Sequence, residues 1–119
     1  MQKTKKLIEI EELIAKAANL SVEEISGRSR EKEAVEARHI AWFIAHDYLR
    51  YTYLYIARMY GRDHTTIMYG VEKMRDVKMS KKIIEKIENA VPGIFEGSIG
   101  APRPMESWKF AEEKAGDNE

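Results

Sequence analysis

The chain has no cysteine among its 119 residues. That excludes a disulfide framework and any zinc site built on thiolates. No apolar run approaches the ~18 residues of a membrane span. The basic N-terminal start is broken by Glu9, Glu11 and Glu12, which does not suit a secretory segment, so a cytoplasmic location is expected. There is no Gly-x-x-x-x-Gly-Lys-Ser/Thr loop to cradle a nucleotide. No Cys/His pair or elbow serine offers a nucleophile. Glu11/Glu12 and Glu23/Glu24 are adjacent pairs on helical patterns, so they read as solvated faces, not as an acid and base facing one substrate. The chain is therefore not expected to be an enzyme, and no cofactor is implied. Proline is scarce and clustered: all 3 prolines, with Gly93, Gly97 and Gly100, fall between residues 92 and 104.

Net charge is also missing, with 20 basic and 20 acidic residues. The balance is uneven along the chain. Residues 1–90 hold 17 basic and 14 acidic side chains, whereas residues 91–119 hold 3 and 6. The stretch 26–82 is the most basic, with 12 against 7. The distribution, not the sum, governs attraction to phosphates.

A chain of this length is expected to form one domain with a modest core. No internal repeat and no strand pattern is present. The apolar period of 3.6 predicts about six helices. The first spans Lys5 to Asn19, with Leu7, Ile10, Ile14, Ala17 and Ala18 on one face. Ser21 caps a short second helix, Val22 to Ser26. A polar loop, Ser26 to Lys32, leads to a third helix from Glu33 to Arg50. Its apolar face is Ala37, Ile40, Ala41, Ile44 and Tyr48; Arg38, His39, Trp42 and His46 fall opposite. Thr52 caps a fourth helix, Tyr53 to Tyr60. After a turn at Gly61-Arg62, Asp63 caps a fifth, which runs to about Asp76. Ser80 caps a sixth, Lys81 to Ala90, stopped by Pro92. Residues 1–91 are expected to be the folded domain, and residues 92–119 a Pro/Gly-rich arm with an acidic tail.

The run Tyr60-Gly61-Arg62-Asp63-His64-Thr65-Thr66-Ile67-Met68 closes one helix, turns on a glycine and opens another. Its second helix starts with an acid, an imidazole and two hydroxyls, and only then becomes apolar. A helix-turn-helix needs this order, because the first residues of its second helix meet base edges while later ones pack. On the fifth helix Ile67, Gly70, Val71 and Met74 should face inward, and Thr65, Thr66, Tyr69, Glu72 and Lys73 outward. Threonine methyls suit a thymine methyl, and hydroxyls suit bases or phosphates. The plainer reading of Asp63-x-x-Thr66 is an ordinary helix cap.

Arg62-Asp63-His64-Thr65-Thr66 followed by two aliphatic residues resembles the signature of bacterial replication initiator DnaA, in its C-terminal DNA-binding domain (domain IV). The resemblance extends over roughly residues 5–90. Leu20 to Ile25 is similar to that family's short second helix, Ala37-Arg38-His39-Ile40-Ala41 to the start of its long helix, and Lys73 to a lysine late in its recognition helix. The resemblance implies an all-α fold with a Trp-repressor-like helix-turn-helix at residues 52–76. It implies sequence-specific binding of double-stranded DNA, with Asp63, His64, Thr65 and Thr66 in the major groove. The basic loop, Arg28 and Arg30, would enter the minor groove, and Arg38, His39, His46, Arg62 and Lys73 would meet phosphates. No metal is implied, since His39 and His46 lack further ligands. The sequence departs from the family pattern in three places: one turn glycine where two are usual, Glu72 on the outward face, and His39 where glutamine is usual. Without an ATPase motif, the chain reads as a detached domain or a small regulator of replication or transcription.

A second reading belongs to another class, a protein-interaction module that kept the fold and lost DNA affinity. Neutral total charge, Glu31, Glu33 and Glu72, and the six tyrosines between residues 48 and 69 favour it. Trp42 on a polar face and Trp108 in a polar tail form the contact expected for a second copy or a protein partner.

Overall fold

The computed structural model describes residues 2–75 and 77–95. The described residues form six α-helices and no strand: α1 Lys5–Ala18, α2 Val22–Ser26, α3 Lys32–Asp47, α4 Tyr53–Tyr60, α5 His64–Met74 and α6 Lys78–Ala90. The all-α expectation is borne out.

Local chemistry sets most of the boundaries. The Thr4 hydroxyl accepts a hydrogen bond from the Leu7 N–H and starts α1. Asn19 ends it in the left-handed region, at φ 60° and ψ 47°, as an asparagine does more readily than most residues. Ser21 and Glu24 form a reciprocal capping box on α2. Thr52 caps α4 by accepting from the Tyr55 N–H. Gly61 ends α4 at φ 64°, a backbone conformation in which a Cβ would be strained.

Two boundaries differ from the sequence reading, and one expected cap lacks its side-chain bond. α3 stops at Asp47, short of Arg50, and Arg50 itself takes φ 65° in the turn toward α4. α6 begins at Lys78, so Ser80 lies inside the helix, where its buried hydroxyl donates toward Met74 Sδ at 3.6 Å. Asp63 precedes α5 but makes no side-chain cap bond to it.

α3 is the axle of the fold. α1, α2, α4 and α5 all pack on it, and α6 closes against α1. Because neighbours cover it on nearly every side, it has no polar face. Trp42 is 1% exposed and sits in the core with Ile40, Ala41 and Ile44. This overturns the two-faced reading of the helix, and with it the use of Trp42 as a surface contact. A central helix is ordinarily apolar all round; here each buried polar residue has a dedicated partner instead. Asp47 pairs with Arg75 at 3.1 Å and so fastens the end of α3 to the end of α5. Glu11, expected on a solvated face, is 1% exposed. It accepts from Lys3 Nζ and from the Tyr60 hydroxyl, tying α1 to the end of α4. Lys3 also lies 4.5 Å above the Tyr60 ring.

The packed body continues past residue 91. Ile94 and Phe95 are buried, and the Phe95 ring lies 4.6 Å from that of Tyr48. The rest of the arm and the acidic tail, including Trp108, lie outside the described residues.

Candidate nucleic-acid interface

α4, the Gly61-Arg62 turn and α5 form the helix-turn-helix. α5 buries Ile67, Gly70, Val71 and Met74 against α3 and α4, as its period predicts. Gly70 permits the close approach: a Cβ there would stand 2.7 Å from Trp42 Cε3 and 2.9 Å from His39 Cδ2. Trp42 is buried and His39 half-buried beneath the helix.

With that face buried, Asp63, Thr65 and Thr66 are exposed, and His64 is half-buried. The Thr65 hydroxyl donates to Asp63 Oδ2 at 3.0 Å, and His64 Nδ1 stands 3.7 Å from Asp63 Oδ1. The Asp63 carboxylate is thus oriented by its neighbours and not turned back onto the helix N–H groups. Its remaining lone pairs face outward, where they can accept a hydrogen bond from an amino group. The four residues expected to read bases are consecutive, and Asp63 is in contact with both His64 and Thr65.

The basic loop is brought against this turn by a reciprocal pair of hydrogen bonds. Arg62 Nη2 donates to the Gly27 carbonyl at 2.9 Å, and Arg28 Nη2 donates to the Gly61 carbonyl at 3.3 Å. The Arg62 guanidinium also lies 5.8 Å from the centre of the Trp42 ring. Arg30 is exposed and holds no hydrogen bond among the described residues. The loop and the helix start therefore form one surface.

Arg38 lies beneath it, not on it. The residue is 4% exposed, with Nε donating to the Ile25 carbonyl at 2.9 Å and Nη2 to the Glu24 and Ser29 carbonyls at 2.8 and 3.0 Å. The expectation that it meets a phosphate is corrected: its guanidinium bridges the end of α2 to the basic loop. His46 is corrected more fully. It is 0% exposed, stacked on Tyr53 at 4.0 Å, with Nδ1 2.8 Å from the Tyr51 carbonyl oxygen. It orders the turn between α3 and α4.

His39 is half-buried between α3 and α5. Burial, together with the charges of Lys73, Arg38 and Arg62, lowers its pKa to about 4. It is neutral near pH 7 and brings no charge to a phosphate there. Lys73 is exposed on α5, its ammonium 5.8 Å from the centre of the Tyr69 ring.

The arginines of this corner repel one another, although the Asp63 carboxylate lies on the same surface. Arg38 and Arg62 both have lowered pKa values, first because they are buried and then because neighbouring arginines repel them. Among the described residues Arg28, Arg38 and Arg62 are anchored by carbonyl oxygens, with no carboxylate in ion-pair contact. Carbonyls fix the guanidinium planes without cancelling their charge.

Tyr69 was not marked out by the signature, yet it is 66% exposed, the most exposed large apolar side chain among the described residues. The sequence signal was its spacing, four residues after Thr65 and four before Lys73. Among the described residues no group of three or more His, Asp or Glu side chains could hold a metal. No described helix is long and apolar enough to cross a membrane.

A short glycine turn joining two packed helices, the second with an exposed polar start, defines a helix-turn-helix domain of the DNA-binding kind. The chain belongs to the bacterial DnaA helix-turn-helix family, whose model matches residues 8–74. It is 32% identical over 87 residues to the chromosomal replication initiator protein DnaA of Mycoplasma capricolum, covering 69% of this chain and 19% of that protein. To the same protein of Thermus thermophilus it is 32% identical over 78 residues, covering 62% and 18%. To that of Thermotoga sp. RQ2 it is 32% identical over 93 residues, covering 76% and 21%. The chain thus spans about a fifth of the length of these relatives. No solved structure gives a significant match.

Proposed function

We propose that this chain binds double-stranded DNA sequence-specifically through the start of α5. Asp63, His64, Thr65 and Thr66 read base edges in the major groove. Arg28 and Arg30 lie toward the neighbouring minor groove, where a guanidinium suits the negative potential of a narrow A/T stretch. Lys73 and the outer edge of Arg62 meet phosphates. His39 packs beneath α5, and Arg38 positions the loop. The output we assign is control of replication initiation, in keeping with the relatives' name, or of transcription.

The observation that carries this reading is the coincidence of two features on one surface. The exposed polar helix start supports base recognition, and the arginines beside it, held by carbonyls and unneutralised by acids, support a polyanion.

Selection from a random duplex pool, followed by titration at two salt concentrations, tests it. A single enriched motif is expected, with affinity falling steeply as salt rises because bound counterions are released. Recovery of unenriched sequence, or no retained DNA at all, contradicts the proposal and favours the protein-interaction module.

A further inference from the structure

We infer that Tyr69 is a specificity-determining residue that reads a thymine methyl beyond the base pairs met by Thr65 and Thr66. The inference rests on the DNA-binding reading and deepens it.

Tyr69 is 66% exposed on a helix whose Ile67, Val71 and Met74 are buried and whose Met68 is half-buried. It stands in one line with Thr65 and Lys73, at i, i+4 and i+8 along the outward face. Thr65 is about 6 Å away along the helix axis, one to two base-pair steps of about 3.4 Å. Side chains of a helix lean toward its N-terminus, so the ring leans over the turn that holds Thr65 and Thr66. The Lys73 ammonium lies 5.8 Å from the ring centre on the other side. A cation at that distance is attracted to the ring face and helps hold the ring in place along the outward side of the helix.

The chemistry of the ring selects its target. In the major groove only thymine presents a methyl group, and an aromatic face or edge covers it without a hydrogen bond. A phenol hydroxyl aimed at a phosphate would give affinity with no base preference. Two substitutions separate these roles: Tyr69→Phe removes the hydroxyl, and Tyr69→Ala removes the ring.

The experiment is a deoxyuridine scan of the selected duplex, replacing each thymine in turn and so deleting one methyl group at a time. Wild type is expected to lose about fourfold in affinity, the weight of one buried methyl, at one thymine that Tyr69→Ala no longer senses. Tyr69→Phe should keep the effect, and circular dichroism should be unchanged in both variants. Identical deoxyuridine profiles for wild type and Tyr69→Ala overturn the inference while leaving sequence-specific binding intact. Equal weakening of Tyr69→Phe and Tyr69→Ala on every duplex also overturns it, because the hydroxyl then acts on a phosphate. A wild type with no sequence preference overturns the DNA-binding reading itself.

Discussion

Arg28 and Arg62 each donate a hydrogen bond to the carbonyl of the residue preceding the other, Gly61 and Gly27, at 3.3 and 2.9 Å. Residues 34 positions apart in sequence thereby lock the basic loop to the turn of the helix-turn-helix. The lock fixes two candidate DNA-reading segments in one relative placement before any DNA arrives, which lowers the ordering cost of binding.

Arg62→Ala should therefore cost more than one phosphate contact. Affinity for the selected duplex is expected to fall by about 2 kcal/mol or more, since a charged hydrogen bond and the loop placement are lost together. Trypsin should cut at Arg28 and Arg30 faster in the variant. Arg62→Lys should restore little, because one ammonium cannot reproduce a planar fork held against Trp42 and the Gly27 carbonyl. Unchanged proteolysis with full rescue by lysine would show that Arg62 acts as a point charge only.

Arg38→Ala tests the corrected role of that residue. Its guanidinium serves three carbonyls at 2.8–3.0 Å. Removing it leaves those acceptors without their donor and should destabilise the fold by roughly 2–4 kcal/mol. Denaturant unfolding measures this. A direct phosphate contact would instead leave stability unchanged and reduce the salt dependence of binding by about one unit.

His39 makes stability depend on pH. Its folded pKa of about 4 lies below the ordinary histidine value of about 6.5. Between those values the unfolded chain binds the proton and the folded chain does not. The stability associated with neutral His39 is therefore full above about pH 6.5 and is lost as pH falls toward 4. Melting temperatures across that window should fall less in His39→Gln than in wild type. Parallel curves would show that His39 is freely solvated.

Phe95→Ala tests where the folded body ends. Phe95 is 5% exposed and packs on Tyr48. The substitution should cost about 1–3 kcal/mol, less than a central phenylalanine because the segment lies at the edge of the core. Truncation after residue 91 should lower the melting temperature relative to truncation after residue 95. Equal melting temperatures would place the boundary at residue 91.

Six helices were legible because their signals are local: the caps at Ser21 and Thr52, the end at Asn19, the glycine at residue 61, and apolar periods that match one buried face. The start of α5 was legible for the same reason, since five consecutive residues carry it. What failed was α3. Its period described one apolar face, but four other helices surround it, and only tertiary packing decides that Trp42, Arg38 and His46 turn inward. The partners that make such burial tolerable, the carbonyls of Glu24, Ile25, Ser29 and Tyr51, are backbone atoms and leave no mark in composition. Glu11 was misread similarly, since its partner Tyr60 is 49 residues away. Ser80 had the right residue type for a cap, but it lies inside α6, buried with its hydroxyl toward Met74.

The central claim is that the first turn of α5 reads base sequence. The most direct measurement is the affinity of wild type and Thr65→Ala for the selected duplex and for a shuffled duplex of the same length and composition. Thr65→Ala should lose about 1–3 kcal/mol on the selected duplex, with relaxed preference at one position. It should lose nothing on the shuffled duplex, and its circular dichroism spectrum should remain helical. Equal affinities of the two proteins for both duplexes would contradict the account.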